Sequence, residues 1–257
     1  NPGVDANTLS KISTGKLDSK FGLPKSNFLK FCRDFKKFKN LKIKALSVHI
    51  GSQITSVVPY KKTLNTLYKI IKLSGINFEY IDLGGGFGIP YQNNEKKIDI
   101  RKYSKLVNKF RKKLNCKIIF EPGRFIVGNA GTLVSKIVFI KKNKNKNFII
   151  LDAGMNDFMR PALYNAKHNI IPVLKLKRKI IGSVEFVGPI CESTDSFIKY
   201  KKYSLLNENN YVAITNVGAY GSSLSSNYNT RPLASEILVK KGKVIIIRRR
   251  QKISEII

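Results

Sequence analysis

The chain has 257 residues, of which 42% are hydrophobic, and its formal net charge is +32. This length is enough to bury one large hydrophobic core or two modest ones. The spacing of the three cysteines fits neither a metal site nor a disulfide framework, and no run of about 18 apolar residues predicts a membrane span. We therefore expect a cytoplasmic protein with no metal and no membrane partner.

The positive charge raises the hypothesis of a nucleic-acid-binding protein. The basic residues, however, are mostly lysines spread through every segment, with clusters only at Lys36–Lys39, Lys141–Lys146 and Arg248–Arg250. No segment alternates arginine with aromatic residues, as a groove that stacks bases requires. We interpret the excess of lysine as solvated surface and expect no specific nucleic-acid partner.

The first half of the chain alternates helical and strand patterns. The predicted elements are a helix over Lys25–Phe38, a strand over Ile43–Ile50, a helix opened by Pro59, a strand over Tyr80–Leu83, a helix over Arg101–Leu114 and a strand over Lys117–Glu121. Strands separated by helices indicate parallel βα units. About eight strands are needed to close such a barrel, so three units predict a partial barrel with open parallel edges.

The pattern changes at about Gly131, where short strands joined by polar or glycine-containing turns begin. The predicted strands are Thr132–Ile140, Asn147–Leu151, Tyr211–Thr215, Glu236–Val239 and Lys243–Arg248, with Lys141–Asn147 as a hairpin connection. We therefore predict an α/β domain over residues 1–130 and an all-β domain over residues 131–257.

Polar or glycine-rich clusters follow three strands of the first half: His49–Gln53, Asp82–Gly88 and Glu121–Arg124. An α/β barrel places its site at these carboxyl ends, and glycines there let backbone N–H groups approach an anion. Three glycines in a row can also be only a tight turn. Three clusters at successive strand ends favour a phosphate-binding site.

These three motifs, in this order, resemble the fold-type III family of PLP-dependent decarboxylases, which includes relatives of alanine racemase and ornithine decarboxylase. Later segments are similar to its diaminopimelate-decarboxylating branch: Met155–Tyr164, Gly188–Ser193, Gly218–Gly221, Asn227–Asn229 and Arg231–Pro232. The resemblance implies the C-terminal portion of a (β/α)8 barrel followed by a β domain of Greek-key or sandwich type. It also implies pyridoxal 5'-phosphate as cofactor, and decarboxylation of meso-2,6-diaminopimelate to L-lysine and CO₂ in lysine biosynthesis.

The resemblance assigns the cofactor-binding roles residue by residue. His49 is expected to stack on the pyridine ring, and Glu121 to hydrogen-bond the pyridine nitrogen so that the ring accepts electrons. The expected phosphate pocket contains Ser52, Gly84, Gly85, Gly86, Gly123, Arg124 and Tyr220. Taken alone, His49 fits a buried core histidine, and Glu121 fits a member of a surface ion pair.

The substrate has an amino-acid group at each end, so one end must be held while the other reacts. By resemblance, Arg124 and Arg160 bind the retained carboxylate, and Glu192 pairs with the distal ammonium group. Tyr164 and Tyr220 are expected to complete this substrate-binding set. Ornithine-type relatives have Asp in place of Glu192, so the set favours diaminopimelate.

Cys191 is the expected proton donor to the α-carbon after CO₂ leaves, although a cysteine is often only a small buried apolar residue. In the family, the Cys-Glu loop reaches into the site of a partner subunit. We therefore expect a homodimer with shared active sites.

The family holds PLP through a lysine at the end of the first barrel strand, in a Tyr-x-x-Lys-Ala-Asn-like setting that this chain lacks. We therefore expect an N-terminal segment to be missing and the chain alone to be inactive. Two alternatives stay open: a noncatalytic remnant or binding protein of the same fold, and a decarboxylase of the ornithine or arginine type.

Overall fold

The computed structural model describes residues 1–6, 8–16, 18–174 and 179–257. The chain divides into two compact units, Asn1–Val127 and Gly128–Ile257, where the sequence predicted a division after residue 130. None of the helices in the described ranges is long and apolar enough to cross a membrane.

The first unit is built from alternating helices and strands, as predicted. Its elements are α1 (Lys25–Asp34), β1 (Ala45–Ser47), α2 (Val57–Ser74), β2 (Tyr80–Asp82), α3 (Ile100–Leu114), β3 (Lys117–Ile119) and α4 (Arg124–Val127). The three strands form a parallel sheet in the order β1-β2-β3. Each strand is shorter than predicted: β1 begins two residues later and ends before His49, β2 ends at Asp82, and β3 ends at Ile119.

Local signals explain where the two long helices begin and end. α2 begins two residues before Pro59, after Ser56, whose hydroxyl accepts the N–H of Val58 at 3.2 Å. Pro59 is tolerated because the first turn of a helix needs no N–H donor. α3 follows Asp99, which accepts the N–H of Lys102 at 2.8 Å. Both helices end at a left-handed residue, Gly75 and Asn115 respectively.

The core of the first unit lies between these helices and the sheet. α2 and α3 bury one apolar face each, and the sheet buries Ile81, which is 1% exposed. The helix residues of this core include Leu64, Leu67, Ile71, Tyr103, Val107 and Phe110. The sheet has two open edges, and apolar side chains near β3, such as Ile119 and Phe120, are more than 40% exposed. The predicted partial barrel is therefore confirmed.

The second unit is dominated by strands. They are β4 (Thr132–Lys142), β5 (Asn147–Leu151), β6 (Ile170–Pro172), β7 (Ile180–Ile181), β8 (Val184–Val187), β9 (Ser196–Tyr200), β10 (Tyr203–Ser204), β11 (Tyr211–Thr215), β12 (Glu236–Lys240) and β13 (Lys243–Arg248), with one short helix, α5 (Arg160–Tyr164). Six strands form a mixed sheet in the order β6-β11-β4-β5-β8-β9, and β7 pairs with β10. The predicted β domain is confirmed, but β6 to β10, which are two to five residues long, were not predicted.

The long strand β4 joins the two parts of the six-stranded sheet. Its first half, Thr132–Lys136, pairs with β11, and its second half pairs with β5 across a register shift between Ile137 and Phe139. A strand that changes partners in this way bends the sheet around a core. Phe186, Val212 and Ile214 lie in that core and are fully buried.

We expect Ile214→Ala to destabilise the folded chain by about 2–5 kcal/mol, because it removes buried methyl groups and leaves a cavity. Ile246→Ala is the matched control, since Ile246 also lies in a strand of the second unit but is 69% exposed; its effect should stay within about 0.5 kcal/mol. Urea unfolding followed by circular dichroism measures both variants. Equal shifts of the two midpoints would contradict the core described above.

Candidate functional site

The carboxyl ends of β1, β2 and β3 meet at one edge of the first unit. The loops that follow them are joined by backbone hydrogen bonds: the N–H of Glu121 donates to the carbonyl of Gly84, and that of Ile54 to the carbonyl of Gly86, both at 2.9 Å. The three polar clusters therefore lie side by side at one edge of the sheet.

The three consecutive glycines make this close approach possible. A Cβ on Gly84 would lie 2.7 Å from Nδ1 of His49, one on Gly85 2.1 Å from the carbonyl oxygen of Glu121, and one on Gly86 2.3 Å from that of Gly51. Gly84 and Gly86 also have positive φ angles of +63° and +84°. Any larger residue would push the loops apart.

Two of the glycine N–H groups are used inside the protein. The N–H of Gly84 donates to Oδ1 of Asp82 at 2.8 Å, and that of Gly85 donates to Nδ1 of His49 at 3.3 Å. These N–H groups therefore hold the loops together, whether or not the glycine run also binds an anion. A Cβ on Gly123, by contrast, would meet no atom within 4 Å, so the space beside this residue is open.

Arg124 is the cation of this edge and is only 6% exposed. Its Nη2 donates to the hydroxyl of Ser52 at 3.1 Å, and its Nη1 donates to the hydroxyl of Tyr91. Ser52 and Arg124 were both predicted for the site, and the structure brings them together. Tyr91 was missed; the only signal in the sequence is an aromatic residue with a polar tip just after the glycine loop.

His49 and Glu121 are both exposed at this edge. Because Nδ1 of His49 accepts a hydrogen bond, a neutral ring carries its proton on Nε2. The ring is therefore held in one orientation, and His49 is not a buried core histidine. No ion pair between described residues includes Glu121, so the surface ion-pair interpretation finds no support.

In the second unit, Arg160 and Tyr164 lie in α5, four residues apart and so on one face of the helix. Arg160 is 5% exposed, and Tyr164 is half-buried. Nη1 of Arg160 lies 2.9 Å from Nε2 of His168, a residue that sequence reasoning did not identify.

Cys191 and Glu192 follow β8 in a loop that exposes both residues. Cys191 is therefore not a small buried apolar residue. The carboxylate of Glu192 accepts hydrogen bonds from the hydroxyl of Tyr228 and, at 3.2 Å, from that of Thr194. The hydrogen bond to Glu192 raises the pKa of Tyr228 above its usual value. Tyr228 belongs to a motif quoted for the resemblance, but no role had been assigned to it.

Asp195 anchors the Cys191 loop and is 4% exposed. Its carboxylate accepts the N–H groups of Met155 and Ile190, each at 2.7 Å, and a Cβ on Gly188 would lie 2.2 Å from it. Burial raises the pKa of Asp195, and the two N–H donors oppose that rise. Sequence reasoning missed Asp195; an acidic residue four positions after the cysteine was the available signal.

Tyr220 lies after β11, is 51% exposed and has a φ of +63°. A bulky residue in the left-handed region is unusual and often marks a functional constraint. The next residue, Gly221, packs near Phe158: a Cβ there would lie 3.5 Å from that ring. Tyr220 is thus held on a segment that contacts the loop preceding α5.

The groups at the strand ends of the first unit fit pyridoxal 5'-phosphate. A buried arginine suits a phosphate, an imidazole in a fixed orientation suits the face of a pyridine ring, and an exposed carboxylate suits the ring nitrogen. The open space beside Gly123 leaves room near the cation-bearing loop. None of the three strand-end clusters contains a lysine.

Comparisons with known proteins agree with this chemistry. A family model described as "Pyridoxal-dependent decarboxylase, pyridoxal binding domain" matches residues 1–128. The diaminopimelate decarboxylases of Zymomonas mobilis and Aquifex aeolicus are 38% and 40% identical to the chain, match 100% of it, and are themselves covered over 61% and 62% of their length.

The crystal structure of diaminopimelate decarboxylase from Helicobacter pylori complexed with L-lysine superimposes with a TM-score of 0.92 at 38% identity. The match covers 100% of this chain and 64% of that structure. The chain thus spans less than two thirds of the length of these relatives. On its fold, its strand-end residues and these matches, the chain belongs to the family of pyridoxal-dependent decarboxylases.

Proposed function

We propose that the chain is the larger part of an enzyme that decarboxylates meso-2,6-diaminopimelate to L-lysine and CO₂ with pyridoxal 5'-phosphate. The main support is the first unit, where the buried guanidinium of Arg124 lies beside glycine loops, the oriented ring of His49 and the exposed carboxylate of Glu121. The similarity to diaminopimelate decarboxylases along the whole chain supports the substrate.

The residues that would hold the cofactor come from all three strand ends. Arg124 and Ser52 would bind the phosphate, with Gly84 to Gly86 and Gly123 bordering it. The imidazole of His49, whose orientation is set by the N–H of Gly85, would contact the face of the pyridine ring. When bound, the cofactor supplies an electron-accepting ring for the carbanion left by CO₂, and Glu121 would keep the ring nitrogen protonated.

The substrate residues account for the choice between similar amino acids. Arg160 would bind the carboxylate that is retained, and Tyr164 would add a hydroxyl from the same face of α5. Glu192 would accept a hydrogen bond from the distal ammonium group. The hydroxyls of Tyr228 and Thr194, which donate to its carboxylate, would hold it in place. An ornithine-type substrate has no second carboxylate for Arg160 to bind. Decarboxylation of such a substrate is therefore only the second candidate function.

Cys191 would return the proton to the α-carbon once CO₂ has left. Cys191 is exposed on the loop after β8, so its thiol can reach a substrate that is not bound by its own subunit. We infer that this substrate lies in the site of a partner subunit, so the enzyme would act as a homodimer. Cytoplasmic location is supported by three cysteines that are all free.

The first test concerns completeness. The 257-residue chain mixed with PLP is expected to give no turnover, because no strand-end cluster has a lysine to hold the cofactor. Joining it to the part of the Aquifex aeolicus relative that lies outside the match should give the "completed enzyme", with CO₂ release from diaminopimelate. Turnover by the chain alone, with a PLP-lysine adduct trapped by borohydride, would contradict this expectation.

The second test concerns substrate choice. In the completed enzyme, Arg160→Ala should raise KM for diaminopimelate, because removing one partner of a desolvated carboxylate costs about 2–5 kcal/mol. Arg101→Ala is the control, since Arg101 is exposed on α3 and should leave KM unchanged. An unchanged KM in the Arg160 variant would remove Arg160 from the substrate site.

The third test concerns the shared site. Cys191→Ala and Glu121→Ala enzymes should each be inactive, but their mixture should regain roughly a quarter of full activity. Random exchange makes half of the dimers mixed, and each mixed dimer has one of its two sites intact. If subunits exchange and no activity returns, Cys191 acts within its own subunit or not at all.

A further inference from the structure

The chain has two histidines, and the second, His168, has no role in the function proposed above. It lies between α5 and β6 and is 1% exposed. The ring of Phe158 packs edge-on against the imidazole, with centroids 4.6 Å apart and planes at 88°. A side chain so fully buried has no access to solvent, so its polar atoms depend on protein partners.

Both ring nitrogens of His168 have such partners. Nε2 lies 2.9 Å from Nη1 of Arg160, and Nδ1 lies 3.0 Å from the backbone carbonyl oxygen of Thr215. A guanidinium can only donate a hydrogen bond, and a carbonyl can only accept one. The imidazole must therefore accept at Nε2 and donate at Nδ1, which defines a neutral ring with its proton on Nδ1.

The carbonyl at the far end of this chain of hydrogen bonds is itself fixed. Thr215 ends β11, and both its N–H and its hydroxyl donate to the carbonyl of Asn169, at 2.9 Å and 3.2 Å. The neighbouring residues Ile214 and Ile170 are paired in the sheet. The position of the imidazole is thus set by the edge of a six-stranded sheet.

The partner on the other side is a cation that is itself almost fully buried. A neutral imidazole orients the guanidinium of Arg160 but does not neutralise its charge. The arrangement suits an arginine that must bind a carboxylate of the substrate.

We propose that His168 is the positioning residue for Arg160: held by Thr215, it aims the guanidinium at the retained carboxylate of the substrate. The proposal rests on the function proposed above for Arg160. It concerns a residue that touches no substrate and acts only through the arginine. Supporting contacts of this kind commonly change ligand affinity by about tenfold or more when they are removed.

The hydrogen-bond pattern is tested without any activity measurement. Nitrogen NMR of the chain labelled at histidine should show a neutral His168 ring that is protonated on Nδ1. His168→Phe assigns the signals by removing one set, and Arg160→Met should shift only the His168 set. A His168 ring protonated on Nε2 would overturn the proposal.

The positioning role is tested in the completed enzyme. His168→Phe should raise KM for diaminopimelate by about tenfold, with kcat changed by less than about twofold. His168→Gln should lie closer to the unmodified enzyme, because its amide can accept from Arg160 and donate to Thr215. An unchanged KM in His168→Phe would overturn the positioning role.

Tyr200→Phe is the matched control for a general loss of stability. It removes a part-buried hydrogen bond from the N–H of Ile170, two residues from His168. KM should stay unchanged in this variant, and an equal rise in both variants would make His168 merely structural. If the completed enzyme releases no CO₂ from diaminopimelate while the NMR pattern holds, the proposed function fails but the contact between His168 and Arg160 stands.

Discussion

The close contact between three strand-end loops is the constraint on which the first unit depends. Gly84, Gly85 and Gly86 permit it, since a Cβ on any of them would overlap a neighbouring loop. With the loops in contact, Glu121 comes beside Gly84, and the ring of His49 accepts an N–H from Gly85. The same glycines that resemble an anion-binding turn thus assemble the groups around it.

In the second unit, buried polar side chains hold loops and short elements in place. The residues proposed for its site lie on short elements and loops, which have little stability of their own. Asp195 ties the Cys191 loop to Met155 through two hydrogen bonds, and His168 ties Arg160 to the end of β11. Such anchors hold an exposed thiol or a buried cation in place at positions where regular secondary structure ends.

Sequence patterns were most informative in segments where a regular pattern of apolar residues continues over several residues. The amphipathic helices α2 and α3 and the strands β5, β11 and β13 were identified from their spacing: each helix buries one face, and each strand contains an apolar run, which contributes to the core in β5 and β11 but is exposed in β13. Strands β6, β7, β8 and β10 were not predicted because two to four residues carry too little pattern to distinguish them from loops, and β9 was missed although it is as long as β5 and β11. The sequence predicted that the second helix starts at Pro59. The helix begins at Val57 instead, because Ser56 supplies the N-cap.

By itself, the sequence determined the fold class, the order of the strand-end motifs and the residue types that suit a phosphate, a pyridine ring and a carboxylate. The fold class and the order of the motifs follow from local composition and spacing, whereas the residue types for the pyridine ring and the carboxylate follow from the resemblance to PLP-dependent decarboxylases. Only the tertiary structure decided which groups support them: Tyr91 beside Arg124, Asp195 beneath the Cys191 loop and His168 behind Arg160. Tyr91 is 33 residues from Arg124, Asp195 is 40 residues from Met155 and His168 is 8 residues from Arg160, so no short sequence motif contains these pairs. A hydrogen bond depends on distance and direction in space, and those arise only when the chain is folded.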